Sequence, residues 1–146
     1  MRIVVQRVKQ ASVKINNKIV SQIGDGLLVL LAVHADDAPK DIDWLVKKVM
    51  NLRIFEDEAG KMNKSVRDAG GSILVVSQFT LYGDCTDGNR PSFIQSARPA
   101  KAKEYYEKFV DKLHKLKVPV ESGKFQEQME VELINDGPVT IIIDSK

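Results

Sequence analysis

Hydrophobic and polar positions alternate from the start of the chain. Ile3, Val5 and Arg7 fall on one face and Val4, Gln6 and Val8 on the other, which predicts a first strand. The stretch "SVKINNKIVSQIG" (12–24) predicts a hairpin, because Asn16 and Asn17 tolerate positive φ at its turn. "GLLVLLAV" (26–33) gives up alternation for a continuous apolar run, the pattern of a strand covered on both faces. The period then changes. Ile42, Leu45, Val46, Val49 and Leu52 recur at helical spacing, with Pro39 just inside the start and Asp36 or Asp37 as the expected cap.

"RIFED" (53–57) predicts another strand, Gly60 a turn, and "KMNKSVRD" (61–68) a polar segment. After Gly70 and Gly71, "SILVVSQFTL" (72–81) predicts a second heavily apolar strand, and "YGDCTDGNRPSF" (82–93) a loop. Pro99 opens a second helix whose stripe is Ala102, Tyr106, Phe109, Leu113 and Leu116. Two last strands are expected near 126–134 and 138–144, parted by Asn135-Asp136-Gly137-Pro138. This order predicts an α/β fold: a single domain over 1–146, of mixed β-sheets with both helices packed on one side. Parallel strand pairing is expected around the helices.

Composition narrows the class. A chain of 146 residues has the size of one domain, and 43% apolar with 29% charged residues describes a globular chain, not a disordered one. No apolar run approaches the roughly 18–20 residues of a membrane span, so no membrane partner is expected. The opening "MRIVVQRVKQ" lacks the features of a signal peptide. Cys85 is the only cysteine, which excludes an intrachain disulfide and makes a reducing cytoplasm the expected location. A net charge of +2 does not announce a nucleic-acid partner. Six lysines between Lys101 and Lys117 face Glu104, Glu107 and Asp111; they read as phosphate contacts or, more commonly, as a solvated helix face.

The standard catalytic constellations are nearly absent. His34 and His114 lie in different settings, and one cysteine with no paired His/Cys spacing argues against a metal site. Neither phosphate-binding glycine loops nor a G-x-S-x-G elbow occurs, and Cys85 has no evident His or Asn partner to make it a nucleophile. Two polar insertions into apolar strands remain. Ser77-Gln78-Phe79-Thr80 reads either as an ordinary strand end or as the wall of a pocket. "NDGPVT" (135–140) reads either as a plain turn or as a backbone wedge, since Gly137 permits close approach and Pro138 withholds a donor.

With "MRIVVQRVKQASV" at the start, "SQFTLYG" (77–83) and "NDGPVT" (135–140) resemble the D-aminoacyl-tRNA deacylase family over the length of the chain. One departure stands at 125–129, where "FQEQM" replaces something close to "FGADM". The resemblance implies an ester hydrolase that frees tRNA from D-amino acids, and from glycine on mischarged tRNA, with no cofactor. It implies homodimers with the active site at the subunit interface, where a cis Gly137-Pro138 pair enters the partner's site as a chiral gate. It implies that Ser77, Gln78, Phe79 and Thr80 line the aminoacyl pocket and that Arg7 holds the Gly-Pro loop. Phe125 and Met129 would stack on the terminal adenine.

Such a gate would work by exclusion. Main-chain atoms filling the space of an L side chain reject it by clash, accept D-residues broadly, and cannot reject glycine. For catalysis the resemblance implies help from the ribose 2′-hydroxyl beside the ester. The alternative is Thr140 as nucleophile, although an aliphatic hydroxyl without an activating partner ionises far above neutrality. Two other functions fit parts of the sequence. A non-catalytic RNA-binding module would use the helix lysines and Phe79, and a hydrolase of free D-amino acid esters would use Cys85 or Thr140.

Overall fold

The computed structural model describes residues 1–145; Lys146, the last residue of the expected domain, lies outside them. The order is β1 (Arg2–Ile15), β2 (Lys18–Ile23), β3 (Gly26–Ala32), α1 (Pro39–Asn51), β4 (Phe55–Glu56), β5 (Met62–Lys64), β6 (Ser72–Ser77), a 3-10 turn (Phe79–Tyr82), α2 (Pro99–His114), β7 (Val120–Ser122) and β8 (Glu130–Asp144). The expected first strand and the first arm of the hairpin are one strand. Asn16 and Asn17, at φ 50° and 62°, make the tight turn into β2. The long β1 has different neighbours along its two edges. β3 pairs antiparallel with residues 2–8 and β2 with residues 11–15, while β8 runs antiparallel along almost the whole of the opposite edge.

The two apolar runs sit at the centre. β3 and β6 pair in parallel around α1, as the position of that helix between two apolar strands predicts. β6 also has a parallel partner across α2, but it is β7, not the strand expected near 126–134, which runs antiparallel to β1. A Cβ on Gly26 would lie 1.9 Å from the Ser72 carbonyl oxygen, so the start of this parallel pair admits only glycine. Both faces are covered. Ile3, Val5, Leu27, Val29, Leu31, Ile73 and Val75 pack under α1 and α2 with Leu45, Val49, Phe109 and Leu113. Leu28, Leu74 and Val76 meet Val8, Ala11 and Val13 on the other face. The alternation of β1 changes phase at Lys9 and Gln10, both exposed, which lets one strand serve both cores.

Several local expectations are corrected. The cap of α1 is Ala38, not Asp36 or Asp37; Asp41 accepts from the Ala38 N–H at 2.8 Å and stands in for a capping side chain. Asp37 is drawn into the interior, accepting from the Met1 amine (2.5 Å) and the His34 N–H (2.6 Å). "RIFED" yields only the two residues of β4, paired with β5 inside the polar segment. β6 stops at Ser77 and Phe79–Tyr82 turns as 3-10 helix, so the second apolar strand is shorter than its hydrophobicity suggests. β7 was not foreseen. The last two expected strands are a single β8 beginning at Glu130. Among the described residues no helix is long and apolar enough to cross a membrane.

Candidate active site

β8 is continuous in extent but not in register. Gln6 pairs with Thr140 and Val8 with Asn135, so two steps along β1 face five along β8. The three surplus residues bulge outward around Gly137 and Pro138, which are exposed and joined by a cis bond. Gly137 sits at φ +125°, a conformation that strongly favours glycine. The bulge is tied at its base. Asn135 Nδ2 donates to the carbonyl oxygens of Arg7 (2.9 Å) and Val139 (3.0 Å). Arg7, 6% exposed, donates through Nε to the Asp136 carbonyl (3.2 Å) and through Nη1 to the Ile54 carbonyl (2.6 Å). The same Nε lies 3.2 Å from the Asp136 carboxylate.

Thr140 closes this corner. Its hydroxyl accepts from Gln6 Nε2 at 3.2 Å and donates to Asn135 Oδ1 at 3.4 Å. Both partners are amides, and neither can take a proton at neutral pH.

A separate cleft of about 700 Å³ opens where β6 ends. One wall is Ser77, Gln78, Phe79 and Thr80 with Phe93 and Ser96; the other includes Tyr106, Phe125 and Met129. The strand-to-turn change shapes the first wall. The Gln78 N–H donates to the Leu31 carbonyl (2.8 Å), its side chain donates to the Thr80 hydroxyl, and Ser96 Oγ donates to the Phe79 carbonyl (3.1 Å). The N–H groups of Phe79 and Thr80 begin the 3-10 turn and so have no acceptor within it. Phe79, 55% exposed, meets Phe93 edge to face at 5.1 Å.

On the second wall, Tyr106 donates to the Val75 carbonyl (2.9 Å) and its ring lies 5.9 Å from that of Phe125. Burial pushes the Tyr106 phenol up to about 12, against a smaller opposing hydrogen bond with Ser122, so it remains a neutral donor. Gln126, in the "FQEQM" segment, holds φ 63°, a left-handed backbone conformation that non-glycine residues seldom adopt.

The structure therefore brings Ser77, Gln78, Phe79, Thr80, Phe125 and Met129 to one cleft. Within one chain Arg7, Gly137, Pro138 and Thr140 lie outside its lining. Cys85 is exposed outside the lining as well, and among the described residues no group of His, Cys, Asp and Glu could hold a metal ion. Sequence reasoning missed Phe93, Ser96 and Tyr106 on the cleft and Asn135 at the bulge. The Asn in "NDGP" was legible as a turn residue, but its two carbonyl partners were not.

The model of the D-Tyr-tRNA(Tyr) deacylase family matches residues 4–144. A D-aminoacyl-tRNA deacylase of Kosmotoga olearia is 57% identical over 146 residues, covering 100% of this chain and 98% of that one. Another, of Thermotoga petrophila, is 57% identical over 145 residues, covering 99% and 97%. A solved structure titled c-Myc DNA Unwinding Element Binding Protein superposes with a TM-score of 0.95 at 43% identity, covering 100% of this chain and 99% of that one. A family match from Val4 to Asp144, carried by a fold and motifs that run the same length, means that this chain belongs to the D-Tyr-tRNA(Tyr) deacylase family.

Proposed function

We propose that the protein is a D-aminoacyl-tRNA deacylase, hydrolysing the ester between a D-amino acid and the 3′-terminal adenosine of tRNA. The observation that carries this reading is the cleft at the end of β6. Its polar wall, Ser77–Thr80, suits an ester, and its aromatic wall, with Phe125 and Met129, suits a base. The N–H groups of Phe79 and Thr80 are the donors available to a developing oxyanion. Such a substrate is made in the cytoplasm, and this reading puts the protein there.

The finer reading has the bulge of one copy entering the cleft of another. Its support is the separation of the two within one chain, together with an apolar row across three strands. Ile142, 65% exposed, neighbours Val4, which neighbours Leu30, on the face away from the helices. In that arrangement main-chain atoms of Gly137 and Pro138 occupy the quadrant an L side chain would need. D-residues and glycine pass. Replacing Ile142 by Glu puts a charge on this row; the variant is expected to elute as a folded monomer and to lose activity at least tenfold. An active monomer would remove the shared site.

No protein base serves the reaction in this reading, and the ribose 2′-hydroxyl assists the attacking water. The amide partners of Thr140 support it. Thr140→Val should keep kcat within about threefold of the parent, whereas a folded but inactive variant would restore the nucleophile. The reading as a whole is tested by incubating the protein with D-Tyr-tRNA, L-Tyr-tRNA and Gly-tRNA and measuring free amino acid. Release is expected from the first and third and not from the second. Binding of uncharged tRNA with no release would make the protein an RNA-binding module, and hydrolysis of free D-tyrosine esters alone would make it a simpler esterase.

A further inference from the structure

The cleft has no cation of its own. Its lining includes one charged side chain, the Glu127 carboxylate, and no lysine or arginine. A tRNA 3′ end carries a negative charge at every phosphate, so any electrostatic attraction has to come from outside the lining. The lysines of α2 are largely committed elsewhere. Lys103 pairs with Glu107 at 3.8 Å, Lys108 with Glu104 at 2.5 Å and Lys112 with Asp43 at 2.7 Å. Lys101 donates to the Ala35 carbonyl at 2.6 Å and lies over the Tyr105 ring. The cluster that drew attention in the sequence is mostly a self-neutralised helix face.

Two cations beside the cleft differ. Arg98 stands between Ala97 and Pro99, both lining residues, and Lys124 directly precedes Phe125, another. Both are exposed, and among the described residues neither side chain has an acidic partner or donates a hydrogen bond. Glu127 shares a turn with Lys124, its N–H donating to the Lys124 carbonyl at 3.3 Å, but no ion pair joins the two side chains. A guanidinium fork and a point ammonium are the two usual ligands of phosphate oxygens.

We propose, resting on the deacylase reading above, that Arg98 and Lys124 form a phosphate subsite for the 3′-terminal nucleotides of tRNA where the strand leaves the cleft. Their contribution is to ground-state binding: they hold the backbone, and the ester chemistry proceeds elsewhere. The substrate distinction follows directly. A D-aminoacyl ester of adenosine, lacking phosphate, has nothing for them to hold.

The test uses Arg98→Gln, Lys124→Gln and the double variant on D-Tyr-tRNA and on 3′-O-D-tyrosyl-adenosine. Each single replacement should raise KM for the tRNA roughly tenfold with kcat unchanged, and the double variant roughly multiplicatively. The slope of log KM against log salt should fall by about 0.7 for each cation removed. Hydrolysis of the aminoacyl-adenosine should stay at the parent level. Equal losses on both substrates would assign the two side chains to the fold or the cleft interior, and unchanged tRNA kinetics would remove them from binding; either result overturns the proposal. A parent protein that hydrolyses neither substrate would overturn the deacylase reading, and this inference with it.

Discussion

A D-aminoacyl-tRNA whose terminal adenosine carries hydrogen in place of the 2′-hydroxyl should bind normally and fail to turn over, with kcat lowered by about 10³ or more. The size follows from what the cleft lacks. Its hydroxyls and amides, on Ser77, Gln78, Thr80, Ser96, Gln126 and Gln128, hold no proton that moves near neutrality, and burial keeps Tyr106 protonated. Acid–base assistance from one positioned group is worth about 10²–10⁴, and here the group nearest the ester belongs to the substrate. An ester is reactive enough for positioning and two backbone donors to supply much of the remainder. Glu127 is the one carboxylate of the lining, so Glu127→Gln is the necessary companion: it should keep most of the parent activity. Single-turnover release from the 3′-linked deoxy substrate, against the ribo form, measures the effect. Undiminished turnover of the deoxy substrate, or a dead Glu127→Gln, would return the chemistry to the protein.

The sequence made the centre of this molecule legible because burial on both faces leaves no choice of residue. "GLLVLLA" and "SILVV" could be little else than covered strands, and the helix between them implied their parallel pairing. What escaped were features set by distant groups. Asp37 has the chemistry of a helix cap, but the Met1 amine and the His34 N–H claim it, and Asp41 bonds the cap residue from within the helix. β7 spans three residues, too few to display a period. Phe79 and Thr80 continue an apolar run and still leave the sheet for a 3-10 turn. The cleft was half legible. Ser77–Thr80 and Phe125 announced themselves by motif, whereas Phe93 and Tyr106 reach the same space from a loop and a helix whose local patterns contain no trace of it. The Gly-Pro interruption was visible as a break; that β8 carries it as a three-residue surplus opposite Arg7 depends on the register of another strand.

Gly137→Ala is expected to lower kcat/KM on D-Tyr-tRNA by about 10² and, in the same protein, to narrow the ratio of D to L hydrolysis. The added Cβ would lie 2.8 Å from Val139 Cγ2 and 3.0 Å from Arg7 Nη2, at a φ of +125° that L-residues rarely adopt. Arg7 cannot step aside. Its guanidinium is buried and fixed by the carbonyls of Ile54 and Asp136, so the strain falls on the bulge itself. A displacement near 1 Å at a site that works by position costs about 10² in rate. A gate that rejects by filling space also loses selectivity when it moves, because the vacated quadrant now accepts an L side chain. Arg7→Met approaches the same bulge from its base. It leaves the Asp136 carboxylate with Lys9 as its remaining cation and the buried Ile54 carbonyl short of a donor, at a cost of about 1–3 kcal/mol in stability. Both variants should therefore retain their circular dichroism at 25 °C, melt earlier than the parent, and release detectable L-tyrosine from L-Tyr-tRNA. Loss of D-activity with an unaltered D-to-L ratio in both would mean that the bulge supports the fold and does not read chirality.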